Sequence, residues 1–331
     1  MSSSNPDNKK QIITAALILV SLLVYLFTGH IGMFTSAAVV ISSAVFAITL
    51  LSKSKAFRAA TSAVHIIITA AVGIYLYKDV PEMLFFTASV AAVGAIISSG
   101  IRKKKNLNDT LIPAIIALVV FALASVIYEV WRTGTPVSVN SVIDHFIAPT
   151  VNMVNEYSAI AAQNGIPLDP TIVLGLVKNM AIGSFCASAI LEVFIAYIAC
   201  AALNRWLVFS DTSLLDPVKA LRVSRVGSIL FVIAAIVDLW SQTGHLKLIA
   251  TNFYTMMQFP FNLCGIVTIN HLMTRYSLKV KTKKLITIIL IVFSLLPVIN
   301  LSSALAFIGA LYNFAAPSMP QSPDKNDKGN V

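Results

Sequence analysis

The sequence is short of charged residues. Asp, Glu, Lys and Arg make up 11% of its 331 residues, against about 25% in an ordinary soluble domain. Hydrophobic residues make up 57% of the chain, so the chain has too little polar surface to cover itself in water. This composition excludes an ordinary soluble globular protein.

Cysteine is also scarce. Cys186, Cys200 and Cys264 lie in apolar stretches without CxxC spacing, which excludes a disulfide framework and a metal cluster built on cysteine. The sequence lacks HExxH, GxSxG and Walker-type patterns, and its five histidines are dispersed without ligand spacing. We therefore expect no metal, no other cofactor and no enzymatic activity. The remaining catalytic alternative is Glu192 acting together with Asp238.

The hydrophobic residues are gathered in long runs, which is typical of segments that face hydrocarbon. Because a bilayer offers no water to backbone groups, each run must satisfy its own hydrogen bonds as a helix. The predicted spans are Ile12–Thr28, Ile31–Leu51, Ala59–Tyr77, Met83–Gly100, Leu111–Trp131, Ala181–Leu203, Val226–Trp240, Leu248–Met273, and two short helices from Leu285–Phe314, which Pro297 divides. The predicted fold is an all-α polytopic integral membrane helix bundle of about ten transmembrane helices, with a range of eight to ten.

Lys and Arg are distributed unevenly between the predicted spans. The side that holds the N-terminus carries 18 of them and the opposite side carries 4, which by the positive-inside rule predicts a cytoplasmic N-terminus. Basic runs such as Arg102–Lys105 and Lys279–Lys284 would then meet anionic lipid at the cytoplasmic face, so the net charge of +10 does not indicate nucleic-acid binding. The alternative interpretation is that these runs dock a cytoplasmic partner subunit. The predicted location is a bacterial cytoplasmic (inner) membrane.

The two ends of the chain are polar. Residues 1–11 and 315–331 are predicted to be disordered because they cannot bury enough apolar surface. Residues 12–314 are predicted to form a single transmembrane helical domain, and no cleavable signal peptide is expected.

One substantial segment, residues 132–180, is predicted to form a helical hairpin on the outer face. An amphipathic helix is indicated by apolar residues at three- and four-residue steps: Val142, Ile143, Phe146, Ile147, Val151, Val154 and Tyr157. Asn164–Pro167 predicts a turn, after which Asp169 and Pro170 predict the start of a helix that continues to Asn204. The hairpin is expected either to cover the outer mouth of the bundle as a lid or to lie on the outer leaflet.

Ionisable residues within the predicted spans are candidate site residues. Glu192 lies in the middle of its span, Asp238 in the outer half of the next, and Glu129 near an outer helix end. His65 lies about a third of the way into its own helix. Because such groups are costly at membrane depth, they must face the bundle interior or a wet cavity. The interpretations are a substrate or proton site, or a carboxyl that is protonated or hydrogen-bonded to a neighbouring helix.

A polar stripe marks the helix Leu248–Met273. Its side chains fall within an arc of about 120° on a helical wheel: Asn252, Thr255, Gln258 and Asn262. Such stripes join helices together, or they line a binding cavity whose amides suit a neutral or zwitterionic small molecule. Asn313 near the chain's end could add to either role.

From Ser141 onward the order of features resembles the YybS-like family of predicted bacterial membrane proteins. The matching features are Asn164-Gly165-Ile166, the helix ending at Asn204-Arg205, Asp216-Pro217, Leu221-Arg222-Val223, Tyr254, Gly265 and the closing stretch 307–314. Asn313 and a Pro-rich tail stand where that family usually carries Gly-Leu-x-Asp and an Arg. The family is grouped with the substrate-binding subunits of energy-coupling factor transporters, so the resemblance implies uptake of a small solute.

The sequence therefore predicts a membrane-embedded protein that binds or transports a small solute, and the resemblance implies the role of a substrate-capture subunit. The predicted substrate-binding residues are Glu129, Glu192, Asp238, Asn252, Thr255, Gln258, Asn262 and Asn313. The alternative is a structural or assembly protein of the membrane that recruits partners through its basic loops, and a membrane enzyme is the third interpretation.

Overall fold

A computed structural model describes residues 12–13, 15–20, 23, 35–51, 55–77, 80–163, 169–207, 223–241, 244–295 and 301–315. These residues are helical or lie in short turns, and no strand occurs among them, which confirms the predicted all-α class. The predicted disordered segments 1–11 and 316–331 and the predicted turn Asn164–Pro167 lie outside the described residues, while Ala315 ends a helix.

The helices are named here in chain order. They are α1 (Thr35–Leu51), α2 (Lys55–Tyr77), α3 (Val80–Arg102), α4 (Leu107–Arg132), α5 (Val139–Gln163), α6 (Pro170–Leu207), α7 (Arg225–Trp240), α8 (His245–Arg275), α9 (Val280–Leu295) and α10 (Leu301–Ala315). Residues 12, 13, 15–20 and 23, within the predicted first span, are helical as well. The predicted division at Pro297 falls between α9 and α10, although residues 296–300 themselves lie outside the described part of the chain.

Among the described residues, three helices are long and apolar enough to cross a membrane: α3, α4 and the Pro170–Asn204 part of α6. α1 and α10 contain shorter apolar helices, Ser36–Leu51 and Leu301–Ala315. The structure thus supports a helical protein with membrane-crossing segments. The larger number of spans and the cytoplasmic N-terminus remain predictions.

The chain divides into two compact units, one formed from Met1–Leu221 with Ala234–Phe259, the other from Arg222–Ile233 with Pro260–Val331. In the first unit, α1 packs against α2, α3 and α6, and α4 packs against α3, α5 and α6. In the second unit, α9 packs against α10.

A short basic turn joins α3 to α4. The Lys103 N–H donates to the Ser99 carbonyl at 3.0 Å, and the Lys105 N–H donates to the Gly100 carbonyl at 3.0 Å. These bonds from the basic turn satisfy carbonyl groups in the last turn of α3. Four residues, 103–106, separate the two helices. Because the connection is so short and the helices pack together, α3 and α4 are antiparallel neighbours, with the basic turn at one end of the pair.

Close backbone approach holds α1 against α3. A Cβ placed on Gly94 of α3 would lie 2.9 Å from the Ser43 carbonyl oxygen and 2.8 Å from the Phe46 ring. Two of the facing residues of α1, Ser43 and Ala47, are small and fully buried. Without a side chain at Gly94, the two helices can pack more closely than ordinary side chains would allow.

α6 begins where the sequence predicts. The Asp169 carboxylate accepts the Thr171 N–H at 2.8 Å and the Thr171 hydroxyl at 2.7 Å, which caps the helix, and Pro170 occupies its first position. Hydrogen bonding to Thr171 also lowers the pKa of Asp169. The helix then continues through 38 residues to Leu207, a length of about 57 Å, which confirms the predicted continuous helix.

α5 carries the predicted amphipathic face, but not along its whole length. Ile147 is buried and Phe146 is half-buried, whereas Tyr157, three turns later, is 64% exposed. Contacts with α6 lie in the first half of α5, where Asp144 bonds Lys178 and Phe146 packs on Phe185. Tyr157 lies on the predicted apolar face beyond these contacts, because periodicity does not show where a neighbouring helix ends.

We predict that Gly94→Ala destabilises the first unit by about 1–3 kcal/mol, because the added methyl group must push against backbone of α1. Gly175→Ala in α6 is the matched control: a Cβ there meets nothing within 4 Å, so this helical substitution should be neutral or slightly stabilising. Thermal unfolding of both variants in the same detergent tests this. Equal midpoints for the two variants would contradict the close approach.

Candidate functional site

The first unit contains a cavity of about 740 Å³. This volume lies within the usual range of small-molecule sites, about 300–1,000 Å³. Residues from α1, α3, α4, α5 and α6 line the cavity. All of them belong to the first unit.

One face of α6 forms the longest wall. Its lining residues recur at three- and four-residue steps, from Val173 and Val177 through Ser184 and Ser188 to Glu192, which places them on one side of the helix. The 19-residue interval between Val173 and Glu192 corresponds to about 28 Å along the helix axis. The cavity is therefore elongated, and Glu192 marks one end of the α6 wall.

The cavity lies at the end of the α3–α4 pair that is remote from the basic turn. The lining residues of α3 fall within 82–89, near its start, and those of α4 fall within 118–126, in its second half. The basic turn, 103–106, joins the other ends of these antiparallel helices. Most of the length of α3 thus separates Lys103–Lys105 from the cavity.

The cavity wall is apolar with scattered polar groups. Five phenylalanines contribute rings: Phe85, Phe86, Phe121, Phe146 and Phe185. Hydroxyl groups come from Ser36, Ser89, Ser125, Thr150, Ser184 and Ser188, and carboxyl groups come from Glu82 and Glu192. Aromatic surface with a few polar groups is the usual lining of a site that binds a small organic molecule.

Glu192 is the predicted site residue that lies in this cavity. Its side chain is half-buried and hydrogen-bonds the Ser36 side chain at the start of α1. A carboxyl group in an apolar helix must pair or face a wet space. Here it does both, since Ser36 and Glu192 line the same cavity.

α5 covers part of the cavity. Phe146 packs against Phe185 of α6 with ring centroids 4.4 Å apart, and Phe146, Ile147 and Thr150 line the cavity. Lys178 of α6 donates to Asp144 of α5 at 2.7 Å. The amphipathic helix thus forms one wall of the cavity and is joined to α6 by an aromatic contact and an ion pair.

Asn252 of the predicted stripe joins α8 to α6. Its Oδ1 accepts the Gly183 N–H at 2.5 Å, and its Nδ2 donates to the Asn179 carbonyl at 2.6 Å. Asn179 and Gly183 are four residues apart, so these are the two groups that an uninterrupted helix would join to each other. The amide therefore links α8 to both of these backbone groups of α6, while α6 continues as one helix.

Asp238 and Glu129 are engaged in local pairs. The Thr251 hydroxyl donates to the Asp238 carboxylate, which ties the end of α7 to α8. Arg132 donates to Glu129 Oε2 at 2.7 Å within α4, while Glu129 Oε1 is buried without a hydrogen-bond partner among the described residues. Neither carboxylate lines the cavity.

The other amides lie apart from the cavity. In the second unit, Asn262 donates to the Ser302 hydroxyl at 2.7 Å, and Asn313 accepts the Val223 N–H at 3.3 Å and donates to the Gly309 carbonyl at 2.7 Å. Thr255 and Gln258 are half-buried in the first unit. The stripe is thus divided between two units, and its bonded amides join helices instead of lining the cavity with Glu192.

His65 of α2 is buried. Neither ring nitrogen has a hydrogen-bond partner among the described residues, and the ring meets Phe46 edge to face at 5.6 Å. It does not line the cavity. Its position in the helix packing separates it from Glu192.

The sequence analysis missed most of the cavity wall. A signal was present in the four-residue spacing of Ser184, Ser188 and Glu192, which puts two hydroxyls on the same helix face as the carboxyl group. The phenylalanines gave no such signal, because five rings on four helices converge only through tertiary packing.

Within the described ranges, no group of three or more His, Cys, Asp or Glu residues could hold a metal ion. No family model matches this chain, and no characterised protein or solved structure matches it either. The cavity must accordingly be interpreted from its own chemistry.

We predict that Asn252→Ala lowers the free energy of unfolding by about 1 kcal/mol and that Asn252→Asp lowers it more. Alanine removes the bonds from Asn252 to α6 but leaves the two backbone groups their helical partners, whereas aspartate would set a second acceptor against the Asn179 carbonyl. Chemical denaturation in mixed micelles measures both. Thr255→Ala, on the same helix but outside the bridge, is the control, and an Asp variant as stable as the Ala variant would contradict the bridge.

Proposed function

We propose that this chain binds a small solute in the cavity between α1, α3, α4, α5 and α6, and presents it for transport. The observation that carries the proposal is a partly open cavity of about 740 Å³ that has a carboxyl group at one end of the α6 wall and residues of α5 in another wall. Its volume, and its aromatic wall with a few polar groups, are those of a small-molecule site.

The proposal includes a polytopic arrangement in a bacterial cytoplasmic membrane, with about ten spans and the N-terminus inside. The positions of the basic turn and the cavity support this arrangement. If Lys103–Lys105 lie at the cytoplasmic face, the cavity lies toward the outer face, because it occupies the opposite end of the α3–α4 pair. A cavity so placed would collect solute from outside.

The role of a substrate-capture subunit belongs to the proposal as well. It draws on the resemblance to the YybS-like family and on the cover that α5 provides. Partner subunits would supply the energy for transport, and the basic cytoplasmic turns offer charge for contact with them or with anionic lipid.

We predict that Ser188→Trp abolishes solute binding, because an indole at this position fills the middle of the α6 wall. Ile182→Trp is the matched control, since Ile182 is on the same helix, is 47% exposed and does not line the cavity. A broad thermal-shift screen with vitamins, amino acids, nucleosides and amines on the unmodified protein identifies ligands first. Loss of binding in both variants, or a screen without any ligand, would contradict the proposal.

A further inference from the structure

The charges around the cavity have one sign. Among the described residues that line it, Glu82 and Glu192 are acidic and none is Lys, Arg or His. An anionic ligand would bring its charge toward carboxylates with no cationic side chain in the wall to balance it. Phosphate esters and simple carboxylates are therefore disfavoured ligands.

Two basic residues on helices of the wall lie beside carboxylates outside it. Lys178, on the same helix as the lining residues, donates to Asp144 at 2.7 Å, and Arg132, beyond the lining residues of α4, donates to Glu129 at 2.7 Å. Glu192, with Ser36 as its hydrogen-bond partner, is the lining carboxylate from which the inference is argued.

The aromatic rings favour a cation with an apolar body. Phenylalanine faces attract a cationic group within about 6 Å of the ring centroid and also bury aliphatic or aromatic surface. A bare divalent metal ion is a poorer match, since it needs about six oxygen ligands, and no metal-binding group of acidic, His or Cys residues occurs in the described part of the chain. A zwitterion would leave its own carboxylate without a basic partner in the wall.

We propose that the cavity selects a monovalent organic cation, namely a protonated amine with an apolar, preferably aromatic, body. Glu192 and Ser36 receive its ammonium group, and rings such as Phe185 pack on its body. This inference rests on the proposed solute-binding function and narrows its ligand class. It replaces the neutral or zwitterionic ligand that the amide stripe suggested.

Three compounds with one phenylpropyl body test the inference: 3-phenylpropylammonium, 3-phenylpropanol and 3-phenylpropionate. Titration calorimetry on the full chain in lipid nanodiscs at neutral pH should give the order cation, alcohol, anion. The cation should bind about 10-fold tighter than the alcohol, the amount expected when a hydrogen bond gains a full charge. Equal affinities, a preference for the anion, or binding of none of the three would overturn the inference.

The Glu192→Gln variant tests whether the Glu192 carboxylate causes the preference for the cation. The variant should bind the cation and the alcohol equally, because glutamine keeps the shape and the hydrogen bonding but removes the charge. Glu156→Gln, at an exposed carboxylate of α5 that does not line the cavity, should retain the preference, and ligand-free thermal midpoints show whether each variant is folded. A cation preference that survives in folded Glu192→Gln would overturn the assignment to Glu192.

Different results would contradict the proposed solute binding and the proposed preference for a cation. Binding of a neutral or anionic compound that Ser188→Trp abolishes would leave solute binding standing and remove the cation preference. Ligand binding that Ser188→Trp does not affect would remove the cavity itself as the site.

Discussion

Polar groups carried on apolar helices must be satisfied inside the protein, and this constraint decides which residues of the chain remain available for function. In hydrocarbon there is no water to complete a hydrogen bond, so amides and carboxyls pair between helices or face a wet space. Asn252 bridges to Asn179 and Gly183, and Asp238 accepts from Thr251. Glu192 is hydrogen-bonded to Ser36, but it also lines the cavity. We therefore propose a function for Glu192, because its surroundings leave room for a ligand.

The need to satisfy polar groups inside the protein also explains which features of the structure could be predicted from the sequence. The start of α6 was predictable because Asp169 and Pro170 act on their immediate neighbours, and the division between α9 and α10 was predictable because Pro297 acts on its own backbone. Glu192 was found because a lone carboxyl in an apolar run is costly wherever it points. These are local or compositional effects, and single-sequence reasoning reaches them.

The partners of the polar groups were not predictable. Asn252 and Asn262 share one helix face in the sequence, but they bond Gly183 and Ser302, residues 69 and 40 positions away along the chain. The cavity wall likewise depends on which faces of α3, α4 and α5 turn toward α6. The periodicity of a sequence shows that a helix has a polar or an apolar face. Which helix packs against that face is decided by the packing of the whole bundle. This is why the amide stripe suggests a binding role from the sequence, whereas we propose that role for Glu192, hydroxyls and phenylalanines of the cavity wall.

We propose that the cavity opens on the side of the membrane opposite the basic turn, and labelling of introduced cysteines in intact cells tests this orientation. In a Cys186→Ser background, Ser188→Cys should react with a small membrane-impermeant thiol reagent added outside, because Ser188 lines the cavity. Lys103→Cys, in the basic turn, should react only after the membrane is permeabilised. Protection of Ser188→Cys from outside reagent, together with labelling of Lys103→Cys in intact cells, would contradict the account.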